Sequence, residues 1–284
     1  MSFRPPRHTV NLPSARVSYL AAGPEEGQAC LLLHGGGTDS AELSWSATIP
    51  VLASEGFRVY APDHPGYGHS PLPTWPITTV NLVGYIREFI VALDLQRVVV
   101  CGLSMGGAMG LGLALQQPSV VERLVLVGTY GVQDRTLAHR LAYFAVRLPG
   151  LPAMNTVIAR SPRLVRQALR PLVRDETQLT PDLVEDVRTA MRNRDTQRAF
   201  NQWQRSEVTR TGTLTNYTKQ LGDIQQPTLL VHGSRDASVP LAAVERAADP
   251  LPNATLKVLN NAGHWTQRDQ PEHFHTVLLE FLRQ

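Results

Sequence analysis

The sequence predicts an α/β fold: a doubly wound, mostly parallel sheet interrupted by a helical insertion. Three observations carry that expectation. Short apolar runs alternate with longer helix-like segments, the stretch 133–221 lacks any clear strand-like run, and strand-like sequence returns after it.

Taken in order, residues 29–33 and 57–61 read as buried strands, followed by 97–101 and 123–127, both rich in Val and Leu. Between them, 79–93 and 105–117 have helical spacing, and Pro118 stops the second. Strands alternating with helices imply parallel pairing through right-handed crossovers. From 133 onward the helix-like segments 137–147, 161–173, 181–194 and 196–208 follow, punctuated by prolines at 149, 152, 162, 171 and 181. Strand-like sequence resumes at 228–232 and 255–259, and 271–282 reads as a closing helix. The expected organisation is a core of residues 1–132 and 222–284 with a helical unit at 133–221.

Hydrophobic residues at 43% and charged residues at 18% exclude a disordered or fibrous chain. No apolar run approaches the roughly 18 to 20 residues of a membrane helix. Residues 1–10 lack the apolar stretch of a secretory signal. Cys30 and Cys101 sit in apolar strand-like runs and read as structural thiols. A cytoplasmic protein without a membrane partner is expected. Residues 133–221 hold 14 arginines and one lysine against eight acidic residues, a balance of +7 that leaves the rest of the chain at −4. No nucleic-acid-binding motif accompanies them, so nucleic acid is not an expected partner. The arginines read as solvated helix faces or as an electropositive entrance favouring anionic substrates.

The strongest local signal is Gly102-Leu103-Ser104-Met105-Gly106, between an apolar run and a helical one. A nucleophile on a tight strand-to-helix turn has a strained backbone, and small neighbours avoid collisions there. The N-terminus of the following helix favours developing negative charge. A serine hydroxyl needs a positioned base. His264 is the candidate, because Ala262-Gly263-His264-Trp265 directly follows the last strand-like run. His273 and His275 read as surface residues of the closing helix, and His232 as a packed core histidine. Asp236, beyond the 228–232 run, is the candidate carboxylate to hold the His264 tautomer, with Asp63, Asp134 and Asp269 as competitors. His34-Gly35-Gly36-Gly37 offers an unhindered N–H for an oxyanion, that of Gly36, and Met105 offers a second. The triple glycine lacks the spacing of a phosphate-binding loop. The histidines do not cluster at metal-ligand spacing, so neither metal nor cofactor is expected.

With these motifs in place, the chain resembles the α/β-hydrolase superfamily, serine-nucleophile branch, over essentially its full length. The order Ser104, Asp236, His264 is the order of that fold, and Asp63-His64-Pro65-Gly66-Tyr67-Gly68-His69-Ser70 is similar to its D-x-P-G-x-G-x-S loop. The resemblance implies that 133–221 form a cap over the pocket. Ser104 argues against the epoxide hydrolases and haloalkane dehalogenases of this fold, which carry Asp there. A carboxylesterase acting on a small-molecule ester through an acyl-enzyme is the first expectation, since nothing beyond triad and oxyanion hole is required. The alternative is a C–C bond hydrolase of ring-fission dienoates. The triple glycine, the Pro-Gly-Tyr-Gly-His-Ser run, Ser-Met-Gly-Gly and Trp265 all resemble that family. An anionic dienoate would suit the Arg-rich cap, with Arg188 as carboxylate binder and Gly37, Leu103 and Trp265 as further substrate contacts. Two departures stand against it: Leu103 where those enzymes carry a polar Asn, and Thr38-Asp39-Ser40 in place of Pro-Gly. Thioesterase, lactonase and peptidase activities remain open, as does a non-catalytic ligand-binding role.

Overall fold

The computed structural model describes residues 5–136, 138–148 and 151–284, with the backbone alone for 151–153. Among the described residues one sheet contains β1 (Arg7–Asn11), β2 (Arg16–Ala22), β3 (Ala29–Leu33), β4 (Arg58–Pro62), β5 (Val98–Leu103), β6 (Val121–Val127), β7 (Thr228–Gly233) and β8 (Ala254–Leu259). Their spatial order is β1-β2-β4-β3-β5-β6-β7-β8. From β4 to β8 every pairing is parallel; β1 and β2 add antiparallel at one edge. The six expected strands therefore form the parallel part of the sheet, each shifted by at most two residues at either end. The β1–β2 hairpin was not anticipated. Its outer strand is exposed at three of its five positions and half-buried at the other two, so it lacks the continuous apolar run that marks a strand buried on both faces.

Helices fill the intervals: α1 (Ala41–Trp45), α2 (Thr48–Ser54), α3 (Thr79–Ala92), α4 (Met105–Gln116), then α5 (His139–Ala145), α6 (Leu151–Ile158), α7 (Pro162–Leu169), α8 (Pro181–Met191) and α9 (Arg194–Glu207). After β7 come α10 (Leu241–Ala248), α11 (Thr266–Asp269) and α12 (Pro271–Leu282). α4 stops one residue before Gln117, which takes an extended φ of −135° ahead of Pro118. α9 starts where Asn193 Oδ1 accepts the N–H groups of Asp195 and Thr196. Of the helix expected over 137–147, Leu137 lies outside the described residues, as does Pro149; α5 covers His139–Ala145 of the rest. No helix of the described residues is long and apolar enough to cross a membrane.

Period-two alternation splits the strand side chains between two cores. Cys30, Leu32, Val99, Cys101 and Val125 face α2 and α12, and Leu31, Leu33, Val98, Val100 and Leu124 face α3 and α4. Both faces are apolar because both are covered. The two thiols are free and buried, and burial pushes the Cys30 thiol up to about 12.

The chain leaves β3 toward one side of the sheet and returns through β5 on the other. The C-terminal ends of β3 and β5 therefore flank a topological switch point, the crevice where open α/β sheets bind ligands. Beside it, Asp63 anchors the turn after β4. Its carboxylate accepts the Ala41 and His69 N–H groups at 3.0 Å each and pairs with Arg7 Nη1 at 2.6 Å. Gly68, at φ +53°, has no Cβ because one would lie 2.4 Å from the Asp63 carboxyl carbon.

Burial by itself would raise the Asp63 carboxyl, but the His69 hydrogen bonds and the Arg7 charge hold it below the ordinary range. A depressed folded value contributes stability above the unfolded pKa of about 3.9 that is lost as pH falls through the folded value. Asp63→Asn is expected to cost about 2 kcal/mol at neutral pH and to flatten the loss of stability below about pH 4. Denaturant midpoints across that window check both.

Candidate active site

Ser104 sits at the hinge between β5 and α4 with φ 51° and ψ −111°. Such a conformation costs a non-glycine residue about 1–3 kcal/mol and persists only where neighbours enforce it. Here the Ser104 N–H donates to Val127 O at 2.8 Å, and Ser104 O accepts from Tyr130 N–H at 3.1 Å and Ala108 N–H at 3.0 Å. The turn is therefore pinned to the end of β6. Its glycines are needed: a Cβ on Gly102 would lie 2.3 Å from Gly106 O, and one on Gly106 would lie 2.3 Å from Leu33 O.

The loop after β3 is held by a polar lattice. His34 Nε2 accepts the His64 N–H at 3.0 Å, so its Nδ1–H donates to Gly35 O at 2.8 Å. His64 Nε2–H in turn donates to His34 O at 3.0 Å, leaving Nδ1 to accept from the Tyr85 hydroxyl. The Gly35 N–H donates to Asp39 Oδ2 at 2.7 Å. Asp39 also accepts the Ser40 N–H and the Ser44 hydroxyl, and its burial raises the carboxyl above the ordinary range. Thr38-Asp39-Ser40, a departure at the sequence level, thus supplies the loop's anchor. Beyond it Gly36 and Gly37 face a cavity, Gly37 at φ +78°.

His264 and Asp236 come from the loops after β8 and β7. Asp236 Oδ2 accepts from His264 Nδ1 at 2.7 Å, while Oδ1 accepts the N–H groups of Ser238 at 2.7 Å and Val239 at 3.0 Å. With Nδ1–H given to the carboxylate, Nε2 of a neutral ring is an acceptor. Burial would raise the Asp236 carboxyl, but the His264 hydrogen bond and charge and the Val239 N–H bring it below the ordinary range. Gly128, at φ +48°, lets the pair close: a Cβ there would lie 3.0 Å from His264 Nδ1. His232, expected as a core histidine, is fully buried and donates from Nε2 to Val239 O, 3.7 Å from Asp236 Oδ2.

The rival carboxylates are engaged elsewhere. Asp134 is exposed and accepts from Asn216 Nδ2 at 2.5 Å. Asp269 is buried, with Oδ2 taking the Gly263 N–H at 2.5 Å and Oδ1 the N–H groups of Arg174 and Asp175 at 2.9 and 2.7 Å. Asp269 therefore clamps the insertion to the peptide preceding His264. The Trp265 N–H adds a bond to Leu172 O at 2.9 Å.

Ser104 and His264 line one cavity of about 310 Å³, together with Gly35, Gly36, Gly37 and Trp265. Met105 is buried directly behind the turn. The opposite wall comes from the insertion and the loop after β6: Tyr130, Gln133, Phe200, Trp203 and Glu207. Sequence reading missed this wall, because nothing local distinguishes α9 from the other helices of the insertion. Glu207 is buried and saturated, accepting from Thr79 Oγ1 at 2.7 Å, Thr215 Oγ1 at 2.9 Å and Thr215 N–H at 3.0 Å.

Two expected substrate contacts are absent from this wall. Leu103 points into the opposite core, fully buried, with its Cδ2 against Gly35, because consecutive strand residues face opposite ways. Arg188 makes a two-point ion pair with Glu185 on its own helix, at 2.7 and 2.6 Å. No lysine or arginine is among the described residues lining the cavity. His275, expected at the surface, is half-buried and bonds Thr48 Oγ1 at 3.1 Å, whereas His273 is exposed.

This geometry can be set beside known proteins. The profile described as alpha/beta hydrolase fold matches residues 29–271. The chain belongs to the α/β hydrolase fold family. Over 278 residues it is 28% identical to the 2-hydroxy-6-oxo-6-(2'-aminophenyl)hexa-2,4-dienoic acid hydrolase of Metapseudomonas resinovorans, covering 96% of this chain and 89% of the relative. It is likewise 28% identical to the 2-hydroxy-6-oxo-6-phenylhexa-2,4-dienoate hydrolase of Comamonas testosteroni, over 94% and 91% of the two chains. Among solved structures, the meta-cleavage product hydrolase of Pseudomonas fluorescens IP01 superposes with a TM-score of 0.82 at 26% identity, covering 97% of each chain. The carboxylesterase CesB of Bacillus subtilis gives 0.77 at 26% identity, covering 99% and 92%. The family and these relatives make the chain a hydrolase.

Gly106→Ala is expected to cost at least about 2 kcal/mol, since the new methyl meets backbone rather than a movable side chain. Urea denaturation measures it. Asp269→Asn should cost about 2 kcal/mol and speed amide exchange at Gly263, Arg174 and Asp175. Unchanged exchange at those three amides would rule out the clamp.

Proposed function

We propose that this α/β hydrolase is a serine hydrolase that cleaves a carbon–carbon bond beside a ketone in ring-fission dienoates, a small-molecule substrate class. The observation that carries the serine chemistry is the strained Ser104 sharing one cavity with a His264 imidazole whose Nδ1 is committed to Asp236. In this reading His264 Nε2 takes the Ser104 proton as Oγ adds to the carbonyl. The oxyanion is met by the N–H groups of Gly36 and Met105, and Asp236 stabilises the imidazolium. Collapse breaks the bond to the leaving group, which His264 protonates, and water then releases the acid from the acyl-enzyme.

An ester leaves as an alkoxide, whereas a dienoate must leave as a carbanion delocalised through its conjugated carbonyl. The core steps are shared. What favours the carbon–carbon reading is the pair of dienoate hydrolases to which the chain is similar over more than nine-tenths of its length. That reverses the order suggested by the sequence, which put the ester first. The ester reading keeps support from the wall itself: a substrate carboxylate finds no lysine or arginine among its described residues, and Leu103 turns away from it. In either reading residues 133–221 serve as the cap, with α9 supplying Phe200 and Trp203 over the nucleophile.

A fluorophosphonate probe is expected to label the wild-type chain and not Ser104→Ala. Ser104→Ala and His264→Ala should each lower kcat/KM by about 10⁴-fold or more, with the double variant little worse, because the two groups act as a unit. Losses that multiply would mean a different mechanism. Kinetics with a phenyl-substituted ring-fission dienoate beside p-nitrophenyl esters of graded chain length separate the readings. A higher kcat/KM for the dienoate than for every ester is expected, and the reverse ranking restores the carboxylesterase.

A further inference from the structure

The segment from Arg135 to Arg174 carries eight arginines and no Asp, Glu or Lys. The same segment holds six of the nine large apolar side chains that stand exposed among the described residues: Leu141, Phe144, Leu148, Met154, Val157 and Leu164. Leu141 and Phe144 are 73% and 67% exposed. The positions 141, 144 and 148 recur at helical spacing along α5 and just past its end, and 154 and 157 do so on α6. Scattered apolar residues on a surface are ordinary, but this concentration is not.

Several arginines of the segment have internal work. Arg147 donates to Tyr143 O and Val208 O and stacks on the Tyr143 ring at 3.8 Å. Arg166 and Arg170 pair with Glu176. Arg140, Arg160 and Arg163 are exposed and enter no ion pair among the described residues.

We infer that the exposed apolar and arginine side chains of α5, α6 and α7 dock on an anionic lipid surface. Apolar side chains interleaved with unpaired guanidinium groups match a bilayer boundary, where the former enter the acyl region and the latter meet phosphates. A second copy of the chain fits poorly, because a two-fold contact would set the unpaired Arg140, Arg160 and Arg163 against their own copies. A nucleic acid would neutralise the arginines and leave Leu141 and Phe144 in water. Of these elements, α5 lies one helix away from the Ser104 cavity. Arg147 Nη1 donates to Val208 O at 3.0 Å and Arg205 Nε to Val146 O at 3.0 Å, so α5 is fastened to the end of α9, which walls the cavity. That no helix of the described residues is long and apolar enough to cross a membrane bears only on crossing the bilayer.

Flotation of the full chain with vesicles tests this. Binding is expected to vesicles of phosphatidylcholine mixed with phosphatidylglycerol, weakly or not at all to phosphatidylcholine alone, and to fade as salt screens the charges. Arg140→Gln, Arg160→Gln and Arg163→Gln should each weaken binding about fivefold, and the pair Leu141→Ser with Phe144→Ser about tenfold or more. Thermal midpoints and turnover of a water-soluble ester should match wild type in all of them. Equal binding to both vesicle types, no binding, or a dimer in sedimentation that Phe144→Ser dissolves would each overturn the inference. A wild-type chain that floats but turns nothing over would instead count against the proposed chemistry.

Discussion

The constraint on which the rest depends is the close crossing of two backbones at the switch point. Gly106 stands where any side chain would strike Leu33 O and His34 O, and Gly102 where one would strike the Gly106 carbonyl. Removing those Cβ atoms lets the turn after β5 press against the loop after β3. The strained serine and the glycine loop then become neighbours although about seventy residues separate them in sequence. The Ser104 N–H bond to Val127 O and the Tyr130 N–H bond to Ser104 O hold the strain in place by fastening it to a third strand.

Around that crossing, buried carboxylates do the positioning, mostly through backbone N–H groups. Asp39 fixes Gly35, Asp63 fixes the turn after β4, Asp236 fixes its own loop through Ser238 and Val239, and Asp269 fixes Gly263. An ionised carboxylate accepts several hydrogen bonds at once and rigidifies loops that carry no regular structure. Asp236 alone among these four shares the Ser104 cavity's imidazole, accepting from His264 Nδ1 at 2.7 Å. Asp269 differs in reaching across to the insertion, so the orientation of His264 and the seating of the segment after α7 share one side chain.

The insertion turns different side chains inward and outward. α9 turns Phe200, Trp203 and Glu207 inward, where Glu207 is saturated by hydroxyl and amide donors from α3 and the 215 loop. α5 and α6 turn apolar side chains outward among arginines that lack acidic neighbours in sequence. The positive charge noted along the insertion is therefore not gathered at the Ser104 cavity. Arg192 faces a different cavity, alongside Asp39 and Asp186, and Arg188 is neutralised by Glu185.

By itself the sequence determined the parallel strands, the glycine-flanked serine, the loop positions of Asp236 and His264, and the triple glycine. Each of these is written locally, as an apolar run, a Cβ-free turn or a polar residue just beyond a strand end. Tertiary structure alone decided that Leu103 turns into the far core, that Arg188 serves Glu185, and that the β1–β2 hairpin completes the sheet edge. It also decided that α9 supplies Phe200, Trp203 and Glu207 to the cavity that Ser104 lines. Those outcomes depend on how distant segments dock, and side chains with the same local pattern can face a cavity, a core or solvent according to what packs against them.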